Sequence, residues 1–442
     1  MAMRLTTPES IRRLQRKLYV KAKAEPACRF HQLYDKVYRE DILTHAYRLA
    51  KSQNGASGVD GVSFADIVAQ GEVDWLAALR KELHDKTYRP DAVRRVTIPK
   101  PGGGERPLGI PTIRDRVVQT AAKLILEPIF EADYVDEAYG YRPRRSALDA
   151  VRQVHRGLCA GYTDVVDADL SKYFDTIPHP ELMRSVAHRV VDRPMLKLIK
   201  MWLKAPIEER DERGHRRRTG GKRHAVGTPQ GGVLSPLLAN LYMHRYLRYW
   251  QQQGQGEQFR AKVINYADDF VILSRGHAQE ALQWTRAVMA KLKLTLNESK
   301  TCIRNAQREP FDFLGYTFGP ACYRKTGGRY QAAQPSARSV QRLKEKLQVV
   351  FHRGNVAPWP AVAAQANRLL RGWANYFAYG TRKKAYRAID NYVYDRVVRF
   401  LKKRRKVSSR GTRKFPGEKV FGDLGIQRLR SLAYAQRPCA LM

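Results

Sequence analysis

Apolar residues along this chain follow two periods, and the architecture changes where the period does. Val263-Ile264 and Phe270-Val271-Ile272-Leu273 flank Tyr266-Ala267-Asp268-Asp269, which predicts a strand, a tight turn and a second strand with two carboxylates at the turn. Asp164-Val165-Val166-Asp167-Ala168-Asp169-Leu170 alternates with period two and puts Asp167 and Asp169 on one face, Val166 and Ala168 on the other. Arg94 to Lys100 also alternates like a strand, and the stretch around Trp75 to Leu83 is helix-like. Val233 to Tyr249 reads as a helix as well. Helical and strand patterns mix in this way up to about residue 330, as expected of an α+β domain.

Beyond Pro335 the period becomes helical. Val340, Leu343, Leu347 and Val350 form one stripe; Val362, Ala366, Leu369, Leu370, Trp373 and Phe377 a second; Ile389, Val393, Val397 and Phe400 a third. Breaks at Gly354–Pro360 and Gly380–Lys384 make this a small three-helix bundle. From Leu401 to Lys419 nine basic residues accompany one acidic residue, which predicts a nucleic-acid-contacting arm rather than a folded core. The domain boundaries that follow are a basic N-terminal extension over 1–50, an α+β unit over 51–330, a helical unit over 335–400 and a basic tail over 401–442.

Charge changes the picture most. The 442 residues carry 81 Lys and Arg against 42 Asp and Glu, a formal net charge of +39, and such an excess predicts a polyanionic partner. No apolar run approaches a membrane span and no secretory signal opens the chain, which favours nucleic acid over a membrane surface. The five cysteines are scattered without a Cys-x-x-Cys pair, so a zinc module and a disulfide framework are both unsupported. Reduced thiols in the cytoplasm fit that pattern.

An Asp-Asp pair alone is usually an acidic hairpin tip in water. Two adjacent carboxylates repel unless a cation neutralises them, and a hard cation with oxygen ligands, Mg²⁺ above all, is the usual neutraliser. If the two acidic strands lie side by side, Asp169 meets Asp268 and Asp269, and three carboxylates could hold two Mg²⁺ ions.

The order of the motifs resembles a known family. Asp169-Leu170-Ser171-Lys172-Tyr173-Phe174-Asp175, Gly227-Thr228-Pro229-Gln230-Gly231-Gly232 and Tyr266-Ala267-Asp268-Asp269 resemble the palm of a reverse transcriptase. Upstream, Ile98-Pro99-Lys100 through Glu105-Arg106-Pro107-Leu108-Gly109-Ile110-Pro111 is similar to the fingers of group II intron reverse transcriptase/maturases. Downstream, Gly372-Trp373-Ala374-Asn375-Tyr376-Phe377 resembles that family's thumb, the maturase domain. The likeness runs over roughly residues 30 to 400, in family order, and suggests a bacterial relative.

The resemblance implies a right-hand polymerase, fingers and palm, followed by an all-α thumb. It implies RNA-directed DNA synthesis with two Mg²⁺ ions, together with assistance to intron splicing. Asp169, Asp268 and Asp269 match the catalytic triad, and the Leu170 carbonyl adds a metal ligand. Phe174 matches an aromatic gate against a 2′-hydroxyl. Lys100 and Arg106 match the triphosphate-binding pair, and Gln230 a residue beside the nascent base pair. Lys300 matches a lysine thought to protonate pyrophosphate, for which its pKa must come within reach of neutrality. Phe313-Leu314-Gly315-Tyr316-Thr317-Phe318 resembles the primer grip. Implied partners are group II intron RNA, an RNA template with its DNA primer, target DNA and dNTPs, with no membrane.

The cysteine-bearing nuclease of many relatives has no counterpart here, so a self-contained endonuclease is not expected. Two other readings remain open: a splicing chaperone without polymerase activity, and a relative recruited to DNA repair or antiviral defence.

Overall fold

The computed structural model describes residues 5–99, 104–210, 215–221, 225–229, 231–323, 326–408 and 410–435. Lys100 and Gln230 lie outside the described residues. The strands are β1 Val93–Pro99, β2 Glu105–Ile110, β3 Asp164–Asp169, β4 Pro206–Arg210, β5 Arg216–Gly220, β6 Ala261–Tyr266, β7 Asp269–Ser274, β8 Cys302–Asn305, β9 Phe311–Phe313, β10 Tyr316–Cys322 and β11 Arg329–Pro335. They form three sheets, ordered β2-β1-β4-β5, β6-β7-β3-β8 and β11-β10-β9. Helices flank the sheets, and an all-helical region follows them.

The middle sheet carries the acidic strands at its centre, β3 antiparallel to both β7 and β8. Both of its faces are covered. Val166, Ala168, Phe270 and Ile272 face the largest core, shared with the helices Ile113–Glu131 and Ser235–Gln252. Val165, Val271, Leu273 and Ile264 face a second core with Val151, Val154, Phe311 and Phe313. Burial on both faces is why β7 reads as a continuous apolar run, whereas β3, covered on the same two faces, breaks that run with Asp167 and Asp169. The predicted strand–turn–strand and the predicted alternation are therefore found, β6 and β7 being joined by the two-residue loop Ala267-Asp268.

The basic N-terminal segment packs on the largest core. Helix Glu9–Ala24 buries Ile11, Leu18 and Ala22 in the largest core and keeps Arg12, Arg13, Arg16 and Lys17 exposed. Gln15 Nε2 donates to the Leu124 carbonyl at 2.9 Å and Lys23 Nζ to that of Ala132 at 3.0 Å. The buried Arg189 guanidinium, paired with Asp133, donates to the carbonyls of Ala22, Glu25 and Cys28.

The three predicted helical stripes correspond to helices Ala337–Val350, Trp359–Tyr376 and Lys383–Arg404 around a core of their own. Phe377 departs from the pattern and packs in the second core against Tyr316, ring centroids 5.0 Å apart. Tyr316 Oη donates to the Tyr376 carbonyl and Tyr376 Oη to that of Leu314, each at 2.8 Å. The Gly372–Phe377 motif is thus the fastening between bundle and sheet. Gly315, within the segment that resembles the primer grip, has φ +78, and a side chain there would meet Ser339 and Phe377 of the helical region.

The segment after residue 400 corrects the expectation of an arm outside any core. The third bundle helix runs through the expected boundary to Arg404, and Phe415, Val420, Ile426 and Leu429 are buried in the bundle. Asp390, itself buried, accepts from the Leu429 backbone N–H at 2.8 Å and from Arg430 Nε at 3.0 Å. Trp359 Nε1 and Asn367 Nδ2 donate to the carbonyls of Leu424 and Gly425. Counting basic residues missed a few widely spaced apolar anchors.

Candidate functional site

Register brings the acidic residues together. Asp169 ends β3 directly opposite Asp269, the first residue of β7, and Asp268 sits in the adjoining turn. That turn needs a left-handed residue at its first position, and Ala267 supplies it at φ +59. Asn265, buried in β6, holds the conformation by donating from Nδ2 to the Ala267 carbonyl at 2.8 Å. A second clamp lies above it. Tyr139 donates to the Asn265 carbonyl at 2.8 Å, Asn265 donates to that of Glu137 at 2.9 Å, and Gly140 rests against Ala267.

On the other side of β3, Leu170 bridges Leu296. Asn297 N–H donates to the Asp169 carbonyl at 2.8 Å, and Ser171 N–H donates to that of Thr295 at 2.9 Å. In such an antiparallel pair the Leu170 carbonyl points away from Leu296, toward the β7 side where Asp268 lies. Asp169 Oδ2 accepts from Lys300 Nζ at 2.8 Å and from Asn297 Nδ2 at 3.2 Å.

These groups floor a cleft of about 780 Å³. Asp169, Leu170, Asp268 and Lys300 line it from the middle sheet, Phe174 from the short helix Tyr173–Thr176, and Arg95 and Arg106 from β1 and β2. The backbone N–H of Thr228 donates to the Phe174 carbonyl and that of Gly227 to the Ile177 carbonyl, both at 2.7 Å. His179 Nε2 donates to the Gly227 carbonyl at 2.6 Å. Gly231, at φ +106, sits where a Cβ would collide with the Gly109 carbonyl of β2. The Gly-Thr-Pro loop thus joins the wall of the cleft to the fingers strand.

Electrostatically the floor is short of positive charge. Desolvation by the surrounding protein, then the charges of Asp268, Asp169 and Asp167, push the Asp269 carboxyl up to about 7 in spite of Lys300. Asp268 is raised as well, by desolvation first and then by Asp169. Among the described residues, no group of three or more His, Cys, Asp or Glu side chains stands ready-made around a metal. The donor set nevertheless fits a hard divalent cation: carboxylate and carbonyl oxygens, with mutual repulsion that a cation would relieve. The hydrogen bond from Lys300 to Asp169, aided by the charges of Asp169, Asp269 and Asp268, holds the ammonium above the usual lysine pKa.

Of the residues singled out from the sequence, Asp169, Leu170, Asp268, Phe174, Arg106 and Lys300 line this cleft, and Asp269 stands opposite Asp169 in the sheet. Sequence reasoning gave no role to Asn297, although it stands three residues before Lys300. It also missed Gly140 and Tyr141, whose only signal is a glycine between two tyrosines just before Arg142-Pro143.

Residues 98–318 match the family model described as reverse transcriptase (RNA-dependent DNA polymerase), and residues 340–415 match the group II intron maturase-specific domain. Protein YkfC of Escherichia coli K12 is 37% identical over 343 residues, covering 69% of this chain and 87% of that protein. The group II intron-encoded protein LtrA of Lactococcus lactis is 31% identical, covering 65% of this chain and 56% of LtrA. An uncharacterized 91 kDa protein in the cob intron of Schizosaccharomyces pombe is 25% identical, covering 91% of this chain and 57% of that protein. The chain therefore spans most of the first relative and little more than half of the other two.

Proposed function

This chain belongs to the reverse transcriptases and maturases encoded by group II introns, and we propose that the cleft over Asp169, Asp268 and Asp269 is where it joins nucleotides into DNA on an RNA template. The observation that carries the assignment is the register of Asp169 opposite Asp269, with Asp268 in the connecting turn. Asp169, Asp268, Asp269 and the Leu170 carbonyl are the groups that would hold Mg²⁺. Two such ions, when bound, supply the charge that activates a primer 3′-hydroxyl and stabilises departing pyrophosphate.

The remaining roles belong to the chain itself. Arg106, with Lys100 as its family counterpart outside the described residues, receives the triphosphate of a dNTP, its planar guanidinium suited to two phosphate oxygens at once, and Gln230, also outside them, serves beside the nascent base pair. Phe174 lies under the sugar and leaves no room for a 2′-hydroxyl; its burial with one face on the cleft supports that placement. Intron RNA is held through phosphates by exposed cations such as Arg12, Arg13, Arg16 and Lys17, and target DNA by basic residues on the helical region beyond residue 400.

Given an RNA template, an annealed DNA primer, dNTPs and Mg²⁺, the purified protein should extend the primer, and chelation of the metal should stop it. Absence of extension with Mg²⁺ present, from protein that binds the duplex, would count against the assignment.

A further inference from the structure

Tyr141 is a large aromatic residue placed at some cost. Its backbone has φ +54, in the left-handed region, where a bulky residue is strained. Its side chain is 46% exposed in spite of its size. Neighbours on both sides fix the ring's position. Before it, Gly140 abuts the Ala267 backbone and its carbonyl accepts from the buried Asn240 amide. After it, the buried Arg142 guanidinium binds Glu131 and donates to the carbonyls of Val135 and Ala138. The ring stands 6.4 Å from that of Phe174, edge to face, and 6.5 Å from that of Tyr266. Desolvation, then the charges of Asp268 and Tyr266, raise its hydroxyl pKa, with Arg106 opposing.

Tyr141 thus presents an exposed aromatic surface between the proposed sugar gate and the strand that leads to Asp268. That surface stands beside the carboxylates that a primer 3′-oxygen has to reach. We propose that Tyr141 is the platform on which the primer's terminal nucleotide packs, fixing the 3′-end for attack. This inference rests on the nucleotide-joining cleft proposed above. Neither the backbone strain nor the exposure is needed for packing, since Phe174 and Tyr266 already belong to cores of their own.

The test compares Tyr141→Phe, Tyr141→Leu and Tyr141→Ala with the wild-type protein and with Phe174→Ala. Ring stacking on a nucleotide implies that Tyr141→Ala and Tyr141→Leu slow single-nucleotide extension by about ten- to a hundredfold at saturating dNTP. The KM for dNTP and the preference for dNTP over rNTP should stay near wild type, and Tyr141→Phe should restore the rate to within about twofold. A primer ending in 2-aminopurine reports the contact without chemistry: its quenching on binding should be weakened in the Ala and Leu variants and kept in the Phe variant. That readout separates failure of this inference from failure of the polymerase assignment, which the wild-type extension tests. A shifted dNTP/rNTP preference matching Phe174→Ala would make Tyr141 a prop for Phe174. Unchanged quenching in Tyr141→Ala, or full activity in Tyr141→Leu, would equally overturn the proposal.

Discussion

Gly140→Ala isolates the clamp over the Ala267-Asp268 turn. Gly140 is not among the residues with positive φ, so alanine suits its backbone, and the whole effect falls on what the new methyl group meets. An ideal Cβ would lie 2.5 Å from the Ala267 nitrogen, whereas ordinary contact begins at 3.4 Å, so something must yield by about 0.9 Å. The loop before Gly140 is tied to Asn265 and its carbonyl to Asn240, which leaves the turn as the part that moves. Misplacing a reacting group by about 1 Å costs on the order of a hundredfold in rate. Overpacking of this size costs about 1–3 kcal/mol of stability. Single-nucleotide extension at saturating substrate, read beside thermal unfolding and duplex binding, should therefore show kcat down by about a hundredfold, a modestly lower Tm and binding retained. A kcat within twofold of wild type would mean that the turn does not position a reacting group.

Two further outcomes follow from charge. Replacing Arg12, Arg13, Arg16 and Lys17 together with Gln should leave Tm near wild type, because all four are exposed, and should flatten the salt dependence of intron RNA binding by about one unit for each phosphate left without its cation; an unchanged slope would place the RNA footprint elsewhere. Burial, with Arg248, Arg142 and His188 adding to it and Asp133 opposing, pushes the His244 imidazole down to about 4. The unfolded chain, with an ordinary histidine near 6.5, takes up the proton first, so stability is lost as pH falls from about 6.5 to about 4, by up to about 3 kcal/mol. Denaturant unfolding of His244→Gln at pH 7 and pH 4.5 should show a smaller acid loss than wild type, and an identical loss would show that His244 is not the group responsible.

What could be read from the sequence is what has a period or a motif. Alternation gave β3, the continuous apolar run gave β7, and helical stripes gave three of the bundle helices. The convergence of Asp169, Asp268 and Asp269 followed from strand ends plus family order. The docking of the N-terminal helix on the core left little trace because its charges outnumber the apolar positions Ile11, Leu14 and Leu18, which nevertheless share one face. The tail was misjudged because Phe415, Val420, Ile426 and Leu429 keep no helical period and because the backbone of Leu429 is held by Asp390, distant in sequence. Tyr141 left little trace because residue type does not announce a left-handed backbone in a tyrosine. The direction of the Lys300 pKa depends on its distance to Asp169, which no spacing encodes.

The central claim, that the paired strand ends of β3 and β7 form the nucleotide-joining centre, is tested most directly by primer extension on an RNA template with Asp169→Asn and Asp268→Asn. Each substitution is nearly isosteric and removes one charge from a floor already crowded with carboxylates, so the fold should survive and RNA binding should stay near wild type. Extension should fall to background in both variants across the Mg²⁺ range. Extension at the wild-type rate in either one, with folding and binding intact, would contradict the assignment.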